Sequence, residues 1–408
     1  LKFRVAGLRQ LEMAGAQAGP DGLTPAETLS QVRTRAQELV AEQYQCWIRV
    51  LRPALKKAGI RVLMRDEWNG KQHKWLGDYF HEQVMPVLSP PGLDHAHPFP
   101  RILNKTLNIA VSLKGKDAFG RESHMAVVRA PRSLPRIIQL PSGLDGDTRT
   151  QEFVFLSGIL HEFVGELFPG MQVKGTYQFR VTRNSELDVD EDEVENLAHA
   201  LKDELHYRGY ASAVRLEVAD SCPKSVVQYL IENFELTSQD VYRCHGPVNP
   251  NRVTAVYDMA DRPDLKYPPF VPRIQPRLRE TTNLFDVIRQ GDIMLHHPFD
   301  SFGTVIEWVR QAASDTDVLA IKQTLYRSGK DSPIVTALTD AARAGKDVTV
   351  VVELRARFDE ESNITLADRL QEAGVQVVYG VVGYKTHCKM LLIVRKEQGK
   401  PQRYVHLS

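Results

Sequence analysis

The chain has 408 residues, 42% hydrophobic and 25% charged, a composition that excludes a disordered or fibrous protein and by length corresponds to about two to four domains. Lys and Arg number 52 against 51 Asp and Glu, so the net charge of +1 excludes a global field for polyanions, and any basic site has to arise from local clustering. Cys46, Cys222, Cys244 and Cys388 form no CxxC pair, which speaks against structural zinc and a disulfide framework, and no apolar run approaches the roughly 20 residues that span a bilayer. Cytoplasm is the expected compartment, and a peripheral membrane contact would leave no mark here. Leu1 stands where Met would open a complete chain and Ser408 follows RYVHL, an apparent strand, so a fragment is expected.

From about Ala26 to Ala58, Leu29, Val32, Ala36, Leu39, Val40, Tyr44, Trp47, Val50 and Leu51 recur at helical spacing and predict one long amphipathic helix. From about Ile60 to Pro272 the texture is mixed. LNIAVSL, HMAVVRA, RIIQL, TYQFRVTR and AVRLEV read as strands, while EFVFLSGILHEFVGELF (152–168) and EDEVENLAHALKDELHYRG (191–209) read as helices, which predicts an α+β domain with antiparallel strands. Asp190 and Glu193 fit the start of the second of these helices. Proline then becomes dense in KYPPFVPRIQPR (266–277), the expected domain boundary. Beyond it, VLAIKQTLY (318–326), DVTVVVEL (347–354) and VQVVYG (375–380) are apolar strands separated by helical SPIVTALTDAARAGK and ESNITLADRLQEAG. That rhythm predicts right-handed crossovers and a parallel sheet.

Loops leaving the carboxyl ends of parallel strands share one edge, where ligand sites form. The first strand runs out at Arg327, the second at Arg355 and Arg357, and the third opens the segment GYKTHCKM with Lys385, His387 and Lys389. If strand geometry persists, Arg355 and Arg357 share a face. Such a convergent set of guanidinium forks and compact ammonium charges matches phosphate. A neutral imidazole among them is a competent nucleophile at phosphorus, with the lysines stabilising charge on the equatorial oxygens. The alternative is a histidine in a solvated basic loop. Lys322, inside VLAIKQTL, needs a partner if buried, either in the phosphate site or in a structural ion pair.

The stretches LSPPGLDHAHPFPRILNKTLNIAV (88–111), ELFPG (166–170), FRVTRNSELDVDEDE (179–193), IMLHHPFDSF (293–302), VLAIKQTLYRSGKDSPIV (318–335), VVELRARFDEESNI (351–364) and GYKTHCKM (383–390) resemble polyphosphate kinase of the first, histidine-phosphorylated family along nearly the whole chain. The resemblance implies reversible transfer of the ATP γ-phosphate to the end of an inorganic polyphosphate chain through a phosphohistidine. It implies a multidomain α and β fold: an N-terminal helical domain over residues 1–58, an α+β head domain with dimer contacts over 59–273, and over 274–408 the first, incomplete, of two phospholipase D-like α/β catalytic domains. By the same resemblance the phosphorylated histidine falls on His387, paired with Lys389. Arg327 and Arg357 then hold phosphate and, since arginine cannot ligate a cation, meet magnesium only as metal-bound phosphate of Mg-ATP. Lys385, Arg355 and Lys322 are further phosphate-binding candidates. ATP or ADP, polyphosphate and a second copy of the chain are the implied partners, with no nucleic acid and no integral membrane segment.

A phospholipase-type HxKxxxxD motif would place Asp at position 394, where Val394 stands, which weakens a phosphodiesterase or nuclease reading. A non-catalytic polyanion-binding protein is the other alternative. The resemblance further implies that a second catalytic histidine and the adenine contact lie outside these 408 residues, so the chain alone should not turn over ATP. Paired histidines His95 with His97 and His296 with His297 read as loop packing more than as a metal site. Cys388 reads as a small hydrophobe facing the core, Phe299 and Trp308 as core, and acidic 186–195 as a solvated helix start.

Overall fold

The computed structural model describes residues 2–88, 92, 93, 99–116, 120, 124–185, 201, 202, 205, 211–279, 281–329, 331–380 and 384–408. The chain forms two units, Leu1–Glu186 with Tyr207–Lys266, and Leu187–His206 with Tyr267–Ser408.

The first unit opens with helices α1 (Arg4–Met13) and α2 (Pro25–Cys46). Thr24 starts α2: its hydroxyl accepts from the Glu27 amide at 3.3 Å while the Glu27 carboxylate accepts from the Thr24 amide at 2.8 Å. The helical path expected to Ala58 is continuous but widens to a π-turn over Trp47–Leu51 before resuming at Arg52–Lys57. Pro53 supplies the cause, because it cannot donate to the Arg49 carbonyl and its ring crowds that oxygen. Helices α3 (Gly70–Tyr79), α4 (Leu156–Phe163) and α5 (Lys224–Phe234) follow.

Strands β1 (Ile60–Leu63), β2 (Gly92–Leu93), β3 (Asn108–Lys114), β4 (Met125–Arg129), β5 (Ile137–Gln139), β6 (Gln151–Phe155), β7 (Gln172–Arg183), β8 (Ala213–Ala219) and β9 (Val241–Cys244) make two sheets, ordered β2-β4-β3-β7-β8-β9 and β1-β6-β5. The larger is antiparallel except for β8 beside β9, and the smaller pairs β1 with β6 in parallel. Alternation along β3 sets the layers: Ile109, Val111 and Leu113 enter a core with Ile159 and Phe163 of α4, while Ala110 enters another with Leu230 and Phe234 of α5. The stretch 152–168 was expected to be helical throughout, but Glu152–Phe155 belongs to β6. Val154 and Phe153 enter different cores, and a strand buried on both faces has the continuous apolar run of a buried helix. Of the helix expected over 191–209, only Leu201, Lys202 and Leu205 are described. Leu201 packs in the core of the second unit and Lys202 pairs with Asp368 at 2.9 Å. Asp190, Glu193 and the acidic run 186–195 lie outside the described residues.

The second unit contains α6 (Leu284–Arg289), α7 (Gly303–Ser314), β10 (Val318–Leu325), α8 (Pro333–Arg343), β11 (Asp347–Val352), α9 (Glu360–Glu372), β12 (Gln376–Tyr379), β13 (Met390–Glu397) and β14 (Lys400–Leu407). Its sheet runs β12-β11-β10-β13-β14. The first three strands in sequence are parallel, as the strand-helix rhythm predicts, and β13 then returns antiparallel beside β10, with Gln323 opposite Leu391. The sheet is therefore mixed and not wholly parallel. Gln398 and Gly399, with φ of 47° and 78°, make the tight turn into β14. One face is sealed by the helices, with Ile321, Leu325, Val348, Val350, Leu391, Ile393 and Tyr404 packed against Phe285, Trp308, Leu338 and Leu370. The other face exposes Lys322, Val378, Val405 and Leu407. Among the described residues no helix is long and apolar enough to cross a membrane.

Candidate active site at the sheet edge

Because β13 runs against β10, its start stands at the same edge as the ends of β10, β11 and β12. Residues near 326, 355 and 387 converge there by topology. The loops are pinned from beneath by two buried polar side chains, Glu353 and Asn363, 5% and 2% exposed. The Glu353 carboxylate accepts from the Thr386 amide at 2.7 Å and from the Arg355 amide at 3.0 Å, tying the turn after β11 to the segment before β13. Asn363, on α9, donates to the carbonyls of Tyr326 and Glu353 at 2.9 and 2.8 Å. Thr324 completes the frame: its hydroxyl donates to the Cys388 carbonyl at 2.6 Å and accepts from the Met390 amide at 2.9 Å. The ends of β10 and β11 and the start of β13 are thus fixed by side-chain hydrogen bonds.

On this frame the cations gather around the ring of Tyr326. Lys389 Nζ lies 4.4 Å from its centroid, Arg327 Cζ 5.5 Å and Lys385 Nζ 5.8 Å. The His387 imidazole meets the same ring edge-on, centroids 5.1 Å apart and planes at 73°. Arg327 is oriented by Asp359, which accepts from its Nε at 2.6 Å, and by the Arg357 carbonyl at 3.0 Å. Lys385 donates to the Arg355 carbonyl at 3.1 Å and Lys389 to the His387 carbonyl at 2.6 Å. His387 and the three cations are exposed or only partly buried, so a charged ligand reaches them from solvent.

Three polyphosphate kinase family descriptions match the chain in order: the N-terminal domain over residues 1–63, the middle domain over 71–256 and C-terminal domain 1 over 283–408. The chain belongs to the polyphosphate kinase family. It is 62% identical over 407 residues to a polyphosphate kinase of Xylella fastidiosa, covering 100% of this chain and 58% of that protein. It is 51% identical over 408 residues to one of Pseudomonas aeruginosa, covering 100% and 59%. The crystal structure of polyphosphate kinase from Porphyromonas gingivalis superposes with a TM-score of 0.76 at 25% identity, covering 99% of this chain and 57% of that one. The chain thus spans somewhat more than half the length of these relatives.

Among the residues expected at the site, His387, Lys389, Lys385 and Arg327 meet at Tyr326. Arg355 and Arg357 flank the same edge, but not as expected on one strand face: β11 ends at Val352, and both sit exposed in successive turns, with Phe358 at φ 76°. Lys322 stands apart. It is exposed midway along β10 on the open face, opposite Thr349 and Leu392, so it needs no buried partner. Cys388 is exposed and does not face the core, because residues 385–389 precede β13 and no strand alternation orients them. Trp308 is core, but Phe299 is 52% exposed in a loop, edge-on to Phe270 and His296. His296 and His297 serve that loop: Asp300 accepts from the His296 amide at 2.8 Å and from Arg273 at 2.7 Å, while His297 bonds the Asp300 carbonyl at 2.8 Å. Arg273 and the His296 amide hold the Asp300 carboxyl below the usual carboxylate range. His95 and His97 lie outside the described residues, and among those described no group of three or more His, Cys, Asp or Glu could hold a metal ion. Val394 lies within β13, opposite Ala320 and Arg403.

Tyr326, Glu353, Asn363 and Thr324 escaped the sequence reading as site residues. A carboxylate inside the apolar run VVVEL was the available signal, since a buried Glu requires partners nearby.

Proposed function

We propose that the protein of which this chain forms part transfers the γ-phosphate of ATP reversibly to the end of an inorganic polyphosphate chain. The observation that carries this reading is the convergence of His387 with Lys385, Lys389 and Arg327 on one sheet edge, in a chain whose relatives bear the name polyphosphate kinase. A nitrogen of the His387 imidazole attacks the γ-phosphorus, the bond to the bridging oxygen breaks, and ADP leaves with that electron pair. A terminal polyphosphate oxygen then attacks the phosphohistidine, the phosphorus–nitrogen bond breaks, and the chain is one unit longer. Arg327 and Arg357 cradle the moving group, and Lys389 with Lys385 stabilises its equatorial oxygens.

Magnesium enters with the nucleotide. The edge is rich in cations, and its carboxylates are already engaged, Asp359 by Arg327 and Glu353 by two backbone amides, which fits a site that binds phosphate and leaves the ion on the phosphate oxygens. Cytoplasmic location and pairing of two copies through the head belong to the same reading. The test is incubation of the full-length polypeptide with γ-labelled ATP and magnesium. Acid-labile, alkali-stable label is expected on the wild type and absent from His387→Ala. Unchanged labelling in the variant overturns the role of His387, and polyanion binding without any label favours a binding protein.

A further inference from the structure

The two lysines flanking His387 are held without a carboxylate. Among the described residues, Lys385 and Lys389 donate to backbone carbonyls and form no ion pair with Asp or Glu, yet both ammonium groups lie within 5.8 Å of one ring centroid. We propose that Tyr326 is a positioning residue of the transfer site: its ring sets the spacing of Lys385 and Lys389 and the plane of the His387 imidazole. This inference rests on the phosphoryl-transfer reading above.

A carboxylate at the centre of the cluster would fix the cations more firmly, but it would repel an arriving phosphate and compete for every ammonium. The face of an aromatic ring attracts cations through its quadrupole and carries no net charge. It holds the two ammonium groups near their working positions and surrenders them when a dianionic oxygen cluster arrives, while Arg327 is already set by Asp359. The edge-on contact with His387, 5.1 Å between centroids at 73°, restricts rotation of the imidazole and so the direction of its attacking nitrogen. The backbone that carries the ring is anchored, since the Tyr326 carbonyl accepts from the buried Asn363 at 2.9 Å. No hydrogen bond of the Tyr326 hydroxyl is formed among the described residues, so the ring and not the hydroxyl carries the role.

The test replaces Tyr326 by Phe, by a series of fluorinated phenylalanines, and by Leu in the full-length polypeptide, and measures the rate of acid-labile labelling from γ-labelled ATP at saturating nucleotide together with tripolyphosphate affinity. Tyr326→Phe should retain most of the rate. Successive fluorination, which weakens the quadrupole at nearly constant shape, should lower it stepwise, and Tyr326→Leu should lower it at least tenfold. A flat fluorination series, or Tyr326→Phe as impaired as Tyr326→Leu, overturns the proposal. A ring that only filled space would leave the rate unmoved by fluorine and change thermal stability alone. If the wild type takes no label, the phosphohistidine reading fails by itself, and the same series read by tripolyphosphate affinity decides whether the ring positions the cations.

Discussion

At the scale of single residues, buried polar groups outside the cation cluster serve the fold. His161, at the end of α4, bonds Thr176 at 2.7 Å, and burial, with the nearby Arg65 charge, pushes its pKa down to about 4. A base whose folded pKa lies below its unfolded value of about 6.5 contributes stability that is complete above that value and lost as pH falls through the folded one. The wild type should therefore lose about 3 kcal/mol of stability between pH 6.5 and 4 that a His161→Gln variant does not lose. Urea unfolding at several pH values, followed in the first unit, checks this, and parallel curves for the two proteins would contradict it. Glu353 makes a second test. Removing its carboxylate in Glu353→Ala leaves the Thr386 and Arg355 amides without their acceptor and should destabilise the second unit by about 2 kcal/mol, with Glu353→Gln costing less because one acceptor oxygen survives. The expected loss of His387 labelling in Glu353→Ala should exceed the loss of nucleotide binding, since the loop and not the phosphate contact is disturbed.

Among elements, β13 decides the geometry of the site, because it alone brings His387 to the edge where the parallel strands end. Its far end is tied down by Arg395, whose guanidinium binds Asp315 at 2.8 Å, Glu397 at 3.0 Å and Asp317 at 3.3 Å and stacks near Phe285. Arg395→Ala should cost about 2 kcal/mol in unfolding experiments, because two partly buried carboxylates lose their common partner. Arg395→Lys should recover only part, since an ammonium cannot fork between them. Equal stability of the Lys variant and the wild type would show that charge alone suffices. The elements themselves were legible to different degrees. Strands β10 to β12 and the helices between them follow from local periodicity. The antiparallel return of β13 does not, because KMLLIV has no feature that states its direction. Strand β6 was hidden by burial on both faces. The cation-bearing positions 327, 355, 357, 385, 387 and 389 were readable because strand ends share an edge in any such sheet. Tyr326 was not, because its role depends on which loops fold over it, and Glu353 showed only as a carboxylate in an apolar run, without its partners.

For the molecule as a whole, charge balance and domain separation make one prediction together. A chain with net charge +1 has no global attraction for a polyanion, so the proposed binding has to come from a local cluster, and the one around Tyr326 lies in the second unit. Adding tripolyphosphate to the 408-residue chain should slow amide exchange in peptides covering 324–329, 353–359 and 384–390. Peptides from β3 and β8, in the first unit, should exchange at unchanged rates. Raising salt from 0.05 to 0.5 M should weaken the effect steeply, because the cations are exposed and the screening length shrinks from about 14 Å to about 4 Å over that range. Protection concentrated in the first unit, or insensitive to salt, would place the polyanion site elsewhere and remove the sheet edge from the reaction.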